Sequence, residues 1–345
     1  MKTRYPLHRN PRIVVASAAV IALAVAGCGS SSKKSSGGSA GGGGASSTQA
    51  ASTSSGHKFT VGLASEGLNA PFPVAIAKGV RKVAAQDGIK ALVLDGKLSE
   101  TTQESDVRTL IAEHVNGIII DVIDPGPTIA MVKAAGAAHI PVMLVHGYAG
   151  TKASPAYPGV TYEVDENETR AGTQAGKLAL RAVPKGGQTA IITGTPGYTA
   201  VTQREDGFLS VVKPTHKYNV VATQSGNWIA TGGYSACSSI LEAHPSIALF
   251  YTEADDMAIG CAKAEKAHNS KAKIVSIGGE QEVKGLIASG TVAGTVCYEP
   301  ETEGEIVMRA MDAELTGKKK YSGQVDFYST PTVTKSNLSD CGYQW

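Results

Sequence analysis

Neither sign of charge dominates this sequence. Its 32 Lys and Arg nearly balance 30 Asp and Glu, for a formal net charge of +2 at pH 7. No basic stripe runs along any segment, so the electrostatic footprint of a nucleic-acid-binding protein is missing. The motifs of common enzyme chemistry are missing too. No Gly-x-Gly-x-x-Gly follows the first strand, there is no P-loop or His-Glu-x-x-His, and no Gly-x-Ser-x-Gly elbow joins a strand to a helix. The eight His residues are scattered, and nothing supplies a nucleophile beside the one in a cleft loop, His146. Cysteine is sparse, with five in 345 residues, and no pair has Cys-x-x-Cys or zinc-ligand spacing. Neither an enzyme nor a cofactor nor a metal is expected. The apolar run at residues 13–25 is short for a transmembrane helix.

That run has a definite context. Lys2, Arg4, Arg9 and Arg12 precede it, and Leu23-Ala24-Val25-Ala26-Gly27-Cys28 follows. A cationic start, a short apolar stretch and small residues mark an export signal. The last six residues resemble a bacterial lipobox, whose cysteine is lipidated and becomes the mature N-terminus. An ordinary secretory signal is the alternative. Residues 1–27 are thus expected to be a lipoprotein signal peptide and Cys28 its lipidation site. Residues 28–57, nearly all Ser, Gly, Ala and Thr, bury too little apolar area to offset ordering entropy and read as a flexible tether. The chain is expected outside the cell, lipid-anchored to the outer face of the cell membrane, with the membrane as a partner through that anchor.

The remaining residues, 58–345, suit two lobes rather than one. Four cysteines fall here: Cys237, Cys261, Cys297 and Cys341. In an exported chain they suggest two disulfides, and three connectivities are open. Short apolar runs alternate with helical stretches. Strands are expected at 59–63, 91–95, 117–122 and 140–145, with helices at 75–87, 101–113 and 127–137 between them. The pattern restarts with a helix at 168–182 and continues through strands at 189–193, 218–223, 247–251, 273–277 and 292–297, ending in a strand at 325–328. Unbroken β-branched runs such as Gly117-Ile118-Ile119-Ile120 indicate strands buried on both faces, hence parallel sheets. The fold class is α/β: two doubly wound parallel-sheet lobes. Function in such folds gathers at the carboxyl ends of strands.

The loops there resemble a known family. Gly62-Leu63-Ala64-Ser65 followed by Asn69-Ala70-Pro71-Phe72-Pro73 is similar to the opening of ribose-type periplasmic binding proteins. Ile140-Pro141-Val142, Arg204-Glu205-Asp206-Gly207-Phe208 and Asp255-Asp256-Met257-Ala258-Ile259-Gly260 follow in the same order. The resemblance implies a type I periplasmic-binding fold, two lobes on a three-crossover hinge. It divides the chain into an N-terminal lobe of 58–163 plus 299–323 and a C-terminal lobe of 164–298 plus 324–345. From that division follows a preferred pairing, Cys237–Cys261 and Cys297–Cys341. The implied protein is a monomeric solute-binding component of a sugar ABC transporter, with a permease in the membrane as partner.

The family places aromatic side chains on its ligand, and Phe72 and Trp228 match such positions in the two lobes. A ring burying its C–H groups between such faces is apt for a sugar. The polar set departs from the ribose pattern. His146-Gly147 stands where that pattern has Asp-Arg, and Thr202 where it has Arg, with Arg204 two residues on. Ala254, preceded by Glu253, stands for Asn; Gly278, with Glu280 two residues later, stands for Asp; Tyr298 stands for a hinge Gln. So many changed partners should change the ligand. The candidate ligand-binding set is Asn69, Phe72, Asp121, His146, Tyr148, Thr202, Arg204, Trp228, Glu253, Asp255, Glu280 and Tyr298. Asp255 also reads as a helix N-cap, and Arg204 as a tie between its helix and the lobe. Two ligand classes fit: a small sugar or polyol, or a cationic, amine-bearing solute. Two roles fit as well, importer receptor and ligand sensor for a membrane signalling partner.

Overall fold

The computed structural model describes residues 58–345; the signal segment 1–27, Cys28 and the tether 28–57 lie outside the described residues. The first array comprises β1 (Thr60–Ser65), α1 (Pro71–Gln86), β2 (Lys90–Asp95), α2 (Glu100–Ala112), β3 (Gly117–Asp121), α3 (Pro125–Ala137), β4 (Val142–Val145) and β5 (Val160–Asp165). The chain then crosses to α4 (Glu168–Ala182), β6 (Gly187–Thr193), α5 (Thr199–Val212), β7 (Tyr218–Ser225), α6 (Ala230–Ala243) and β8 (Ile247–Thr252). α7 (Asp255–His268), β9 (Lys273–Gly278), α8 (Gln281–Ser289) and β10 (Val292–Cys297) complete the second array. α9 (Pro300–Leu315), β11 (Gln324–Phe327) and β12 (Thr332–Val333) close the chain.

Two six-stranded sheets result, in the orders β11-β5-β4-β3-β1-β2 and β12-β10-β9-β8-β6-β7. Every pairing is parallel except β10 with β12. Ile118, Ile119 and Ile120 are fully buried, as runs covered by helices on both faces should be. The expected α/β fold of two doubly wound parallel-sheet lobes is what forms.

The lobe assignment differs in two places. The resemblance assigns 164–298 and 324–345 to the second lobe, but β5 runs on through Val164 and Asp165 in the first sheet, and β11 pairs with it there, Gln324 opposite Tyr162 and Phe327 opposite Asp165. The Tyr162 hydroxyl donates to Asp326 at 2.9 Å across that edge. The chain recrosses only after β11, and β12 joins the second sheet. β5 has no counterpart among the strands expected from sequence. Its Val160-Thr161-Tyr162-Glu163-Val164-Asp165 alternates with acids and looks half-exposed, yet Glu163 is fully buried.

α4 and α5 cross almost backbone to backbone. A Cβ on Gly172 would lie 2.1 Å from the Arg204 carbonyl oxygen, and one on Gly207 would lie 2.2 Å from that of Thr169. Only glycine permits this approach. Two disulfides, Cys237–Cys261 between α6 and α7 and Cys297–Cys341 between β10 and the tail, have Cα separations of 5.2 and 5.8 Å. They are the pairing that the resemblance implies.

Candidate functional site

The carboxyl ends of both sheets face a cavity of about 480 Å³, walled by both lobes. The first lobe supplies Glu66, Asn69, Phe72, His146, Tyr148 and Asp165. Pro71 opens α1, where its missing N–H costs nothing, and this sets Phe72 in the first helical turn at the cavity wall. The Phe72 ring lies 4.5 Å from the His146 ring and meets Trp345 edge-on at 5.2 Å. The second lobe supplies Tyr198, Gln203, Arg204, Trp228, Asp256 and Tyr298, among others. Asn227 and Trp228 both have left-handed backbone, with φ of 53° and 61°. This turn lays the indole over Gly194, where a Cβ would come within 1.9 Å of the ring.

The two lobes touch directly in front of the cavity. Gln203 Nε2 donates to the Tyr148 hydroxyl at 2.7 Å, and Thr199 Oγ1 donates to Asp124 Oδ2 at 3.1 Å. Both bonds join the lobes across the cavity, and in this sense the two lobes are closed on one another. A matching domain model, the periplasmic binding protein domain, covers residues 61–319. The chain belongs to the periplasmic binding protein family. It is 29% identical over 269 residues to the ribose import binding protein of Bacillus subtilis, covering 77% of this chain and 86% of the relative. Among solved structures, it resembles an ABC transporter solute-binding protein from Mycobacterium smegmatis with bound glycerol. The TM-score is 0.74 at 26% identity, covering 82% of this chain and 96% of that one. A galactofuranose-binding protein shares the fold at TM-score 0.75 and 21% identity, over 82% and 96% of the two chains. Such proteins bind substrates for transport, and this binding protein is not an enzyme.

Its second-lobe wall is built around the Arg204 guanidinium. Arg204 is buried and forms two bonds to the Glu168 carboxylate, Nε to Oε2 at 2.5 Å and Nη2 to Oε1 at 2.6 Å. Nη1 donates to the Glu253 carbonyl at 2.7 Å. The Trp228 and Tyr298 rings lie 5.3 Å from the guanidinium carbon. The Tyr298 hydroxyl donates to Glu168 Oε2 at 2.7 Å. Arg204 therefore faces the cavity with its nitrogens engaged by protein.

His146 is held likewise. Its Nδ1 lies 2.7 Å from Glu166 Oε1. Burial lowers its pKa, but the carboxylates of Glu166, Glu66 and Asp121 together outweigh burial and raise it to about 10. Glu66, on the same wall, is pushed up by burial, opposed by His146 and Arg204. Burial and then Asp255 raise Asp256 to about 6.

Asn69, Phe72, His146, Tyr148, Arg204, Trp228, Asp255 and Tyr298 line the cavity; Asp121, Thr202, Glu253 and Glu280 do not. Asp121 lies beneath the wall, where its Oδ2 accepts the Glu66 N–H at 3.2 Å; burial, then Glu66, pushes its carboxyl to about 8. Thr202 is exposed, one helical step from Gln203. Glu253 Oε2 accepts the Gly194 N–H at 2.8 Å and so holds the loop beneath Trp228; burial raises it to about 8. Glu280 lends its backbone N–H to Asp255 Oδ2 at 3.1 Å. Asp255 caps no helix. It is the first residue of α7, and its carboxylate accepts from Ser276, Thr295, Gly279 and Glu280 at the end of β9.

The candidate set lacks Glu66, Asp165, Glu168, Tyr198, Gln203 and Trp345, which also line the cavity. Glu66 sits in the loop after the first strand, and Gln203 lies beside Thr202, so strand-end position and helical phase pointed to both. Trp345 carried no sequence signal. The tail returns through Cys297–Cys341, and the Trp345 carbonyl accepts the Gln281 N–H at 2.8 Å.

Proposed function

We propose that this protein is the extracytoplasmic receptor of an ABC importer, lipid-anchored at Cys28 and acting as a monomer. It captures a small sugar or polyol by closing its lobes, and the closed form docks on a membrane permease. The observation carrying this reading is the cavity between the lobes. Phe72, Tyr198 and Trp228 give it aromatic faces, and Asn69, Glu66 and Asp256 give it polar ones. Relatives named for ribose and D-apiose import, and a structural neighbour holding glycerol, support that ligand class. The proposed lobes are 58–165 with 300–327, and 168–297 with 332–345.

One observation favours a second reading. The cavity-facing cations, Arg204 and His146, are both paired with carboxylates, while Glu66 and Asp256 have no ion pair among the described residues. A ligand carrying an amine beside its hydroxyls would supply the missing charge. A thermal-shift screen of the purified chain against pentoses, polyols and amino sugars tests both. A ligand at 100 times its Kd should stabilise the protein by about 2.7 kcal/mol. A shift from neutral sugars establishes the first reading, a shift confined to amines the second, and none from any of them refutes both. A sensor role is separated from import by uptake of the bound solute in cells with and without the permease.

A further inference from the structure

Beneath the cavity lies a second cluster, which meets the cavity wall through His146 alone. We propose that His146, Glu166 and Glu303 form a binding site for one divalent transition cation, with Zn2+ as the best match. One ligand atom from each lies within 4.8 Å of the other two. The three come from separate segments. His146 directly follows β4 with left-handed backbone, φ 58°. Glu166 stands in the first crossover, its N–H held by Asp165 Oδ1 at 2.8 Å. Glu303 lies in the first turn of α9, just after the second crossover. The hinge thus brings one imidazole and two carboxylates together, a donor set that zinc accepts.

Unmet polar atoms point the same way. Glu166 and Glu303 are fully buried, yet among the described residues no donor from another side chain or the backbone reaches either Glu303 oxygen or Glu166 Oε2; there the two carboxyls have only each other. Buried carboxylate oxygens without a donor are costly, and native interiors rarely keep them. The Arg204 guanidinium is engaged elsewhere, by the Glu168 carboxylate and the Glu253 carbonyl. A single cation would meet all three oxygens at once, and would take the place of the proton on His146 Nδ1, which is released to solvent. His146 lines the ligand cavity, so the ion has a way in and water can complete its coordination from that side.

The test begins with full chain stripped by chelator and titrated with Zn2+, Mn2+ or Ca2+ against a chromophoric competitor. The expected result is one equivalent of Zn2+, with Ca2+ weaker because it prefers six to eight oxygens. His146→Ala and Glu303→Gln should each raise the Zn2+ Kd by about tenfold or more. Glu265→Gln, which alters a buried acid on α7 outside the cluster, should leave it unchanged. X-ray absorption on the wild-type zinc complex needs no variant. It should show one imidazole among oxygen ligands at about 2.0–2.2 Å. Failure of the wild-type protein to take up a stoichiometric cation overturns the site and leaves a carboxyl pair sharing a proton. So does an unchanged Kd in folded Glu303→Gln, or a shell of several imidazoles. None of these outcomes depends on which solute the cavity binds.

Discussion

Replacing Arg204 by Met should unbalance the closed wall more than any change at the cavity surface. The guanidinium and the Glu168 carboxylate are both buried, 6% and 8% exposed, and share two short bonds. Removing the cation leaves Glu168 with only the Tyr298 hydroxyl, and strips the Glu253 carbonyl and two aromatic faces of their partner. Breaking a buried pair from one side typically costs about 3–5 kcal/mol, because a desolvated charge remains. Removing both charges costs far less, since the pair largely repays its own desolvation. Arg204→Met alone should therefore lose about 3–5 kcal/mol in chemical denaturation without ligand, and Arg204→Met with Glu168→Leu should recover most of it. A loss below about 0.5 kcal/mol in the single variant would refute this reasoning and return Arg204 to the ligand-binding set as a free cation.

Further outcomes follow from the same geometry. Gly194→Ala places a methyl within 1.9 Å of the Trp228 ring and should displace it, weakening ligand binding by about tenfold or more in calorimetry. Binding at wild-type strength would remove Trp228 from the ligand face. Cys297→Ser with Cys341→Ser releases a 44-residue loop and should lower stability by about 2–4 kcal/mol in denaturant titration, and it frees Trp345 from Phe72. Glu265, buried in α7, has its carboxyl raised by burial, partly opposed by Lys273, from 4.5 to about 8. The folded state then holds a proton that the unfolded state has lost, so this group's contribution is present below pH 4.5 and falls as pH rises towards 8. Glu265→Gln should flatten that fall in a stability–pH series; an unchanged slope would show that Glu265 is already ionised in the fold.

Much of the fold was legible because parallel strands covered on both faces leave apolar runs that nothing else produces; Ile118–Ile120 is the plainest case. β5 escaped because its acids imitate a half-exposed strand, although Glu163 and Asp165 are buried at the hinge. β11 was found as a strand but placed in the wrong lobe, since a strand's pattern reports burial and not its neighbour. In the site, loop position found Phe72, His146 and Trp228. It failed at Asp121 and Glu253, for a shared reason. Both are acids at strand ends, as ligand contacts would be, but their carboxylates accept backbone N–H groups of Glu66 and Gly194. Strand-end acids can shape a loop as readily as they can touch a solute, and sequence does not distinguish the two.

The bonds between the lobes bear on how closure works. Tyr148–Gln203 and Asp124–Thr199 each join one lobe to the other. A neutral hydrogen bond of this kind contributes about 0.5–1.5 kcal/mol, and one accepted by a carboxylate about 1.5–3 kcal/mol. The two together favour closure by at most about 4.5 kcal/mol, before the cost of drying the cavity is subtracted. Moving a clamp from mostly open to mostly closed takes about 5.5 kcal/mol of differential affinity. The bonds alone cannot lock the lobes, so the solute must supply the remainder. Tyr148→Phe leaves Gln203 Nε2 unpaired in the closed form and should weaken solute binding by about fivefold to tenfold, with the open form unharmed. Scattering should then show the ligand-free variant no more compact than wild type and full compaction only at higher solute concentration. Equal affinity in Tyr148→Phe would mean that closure rests on the solute and the hinge, with no contribution from this contact.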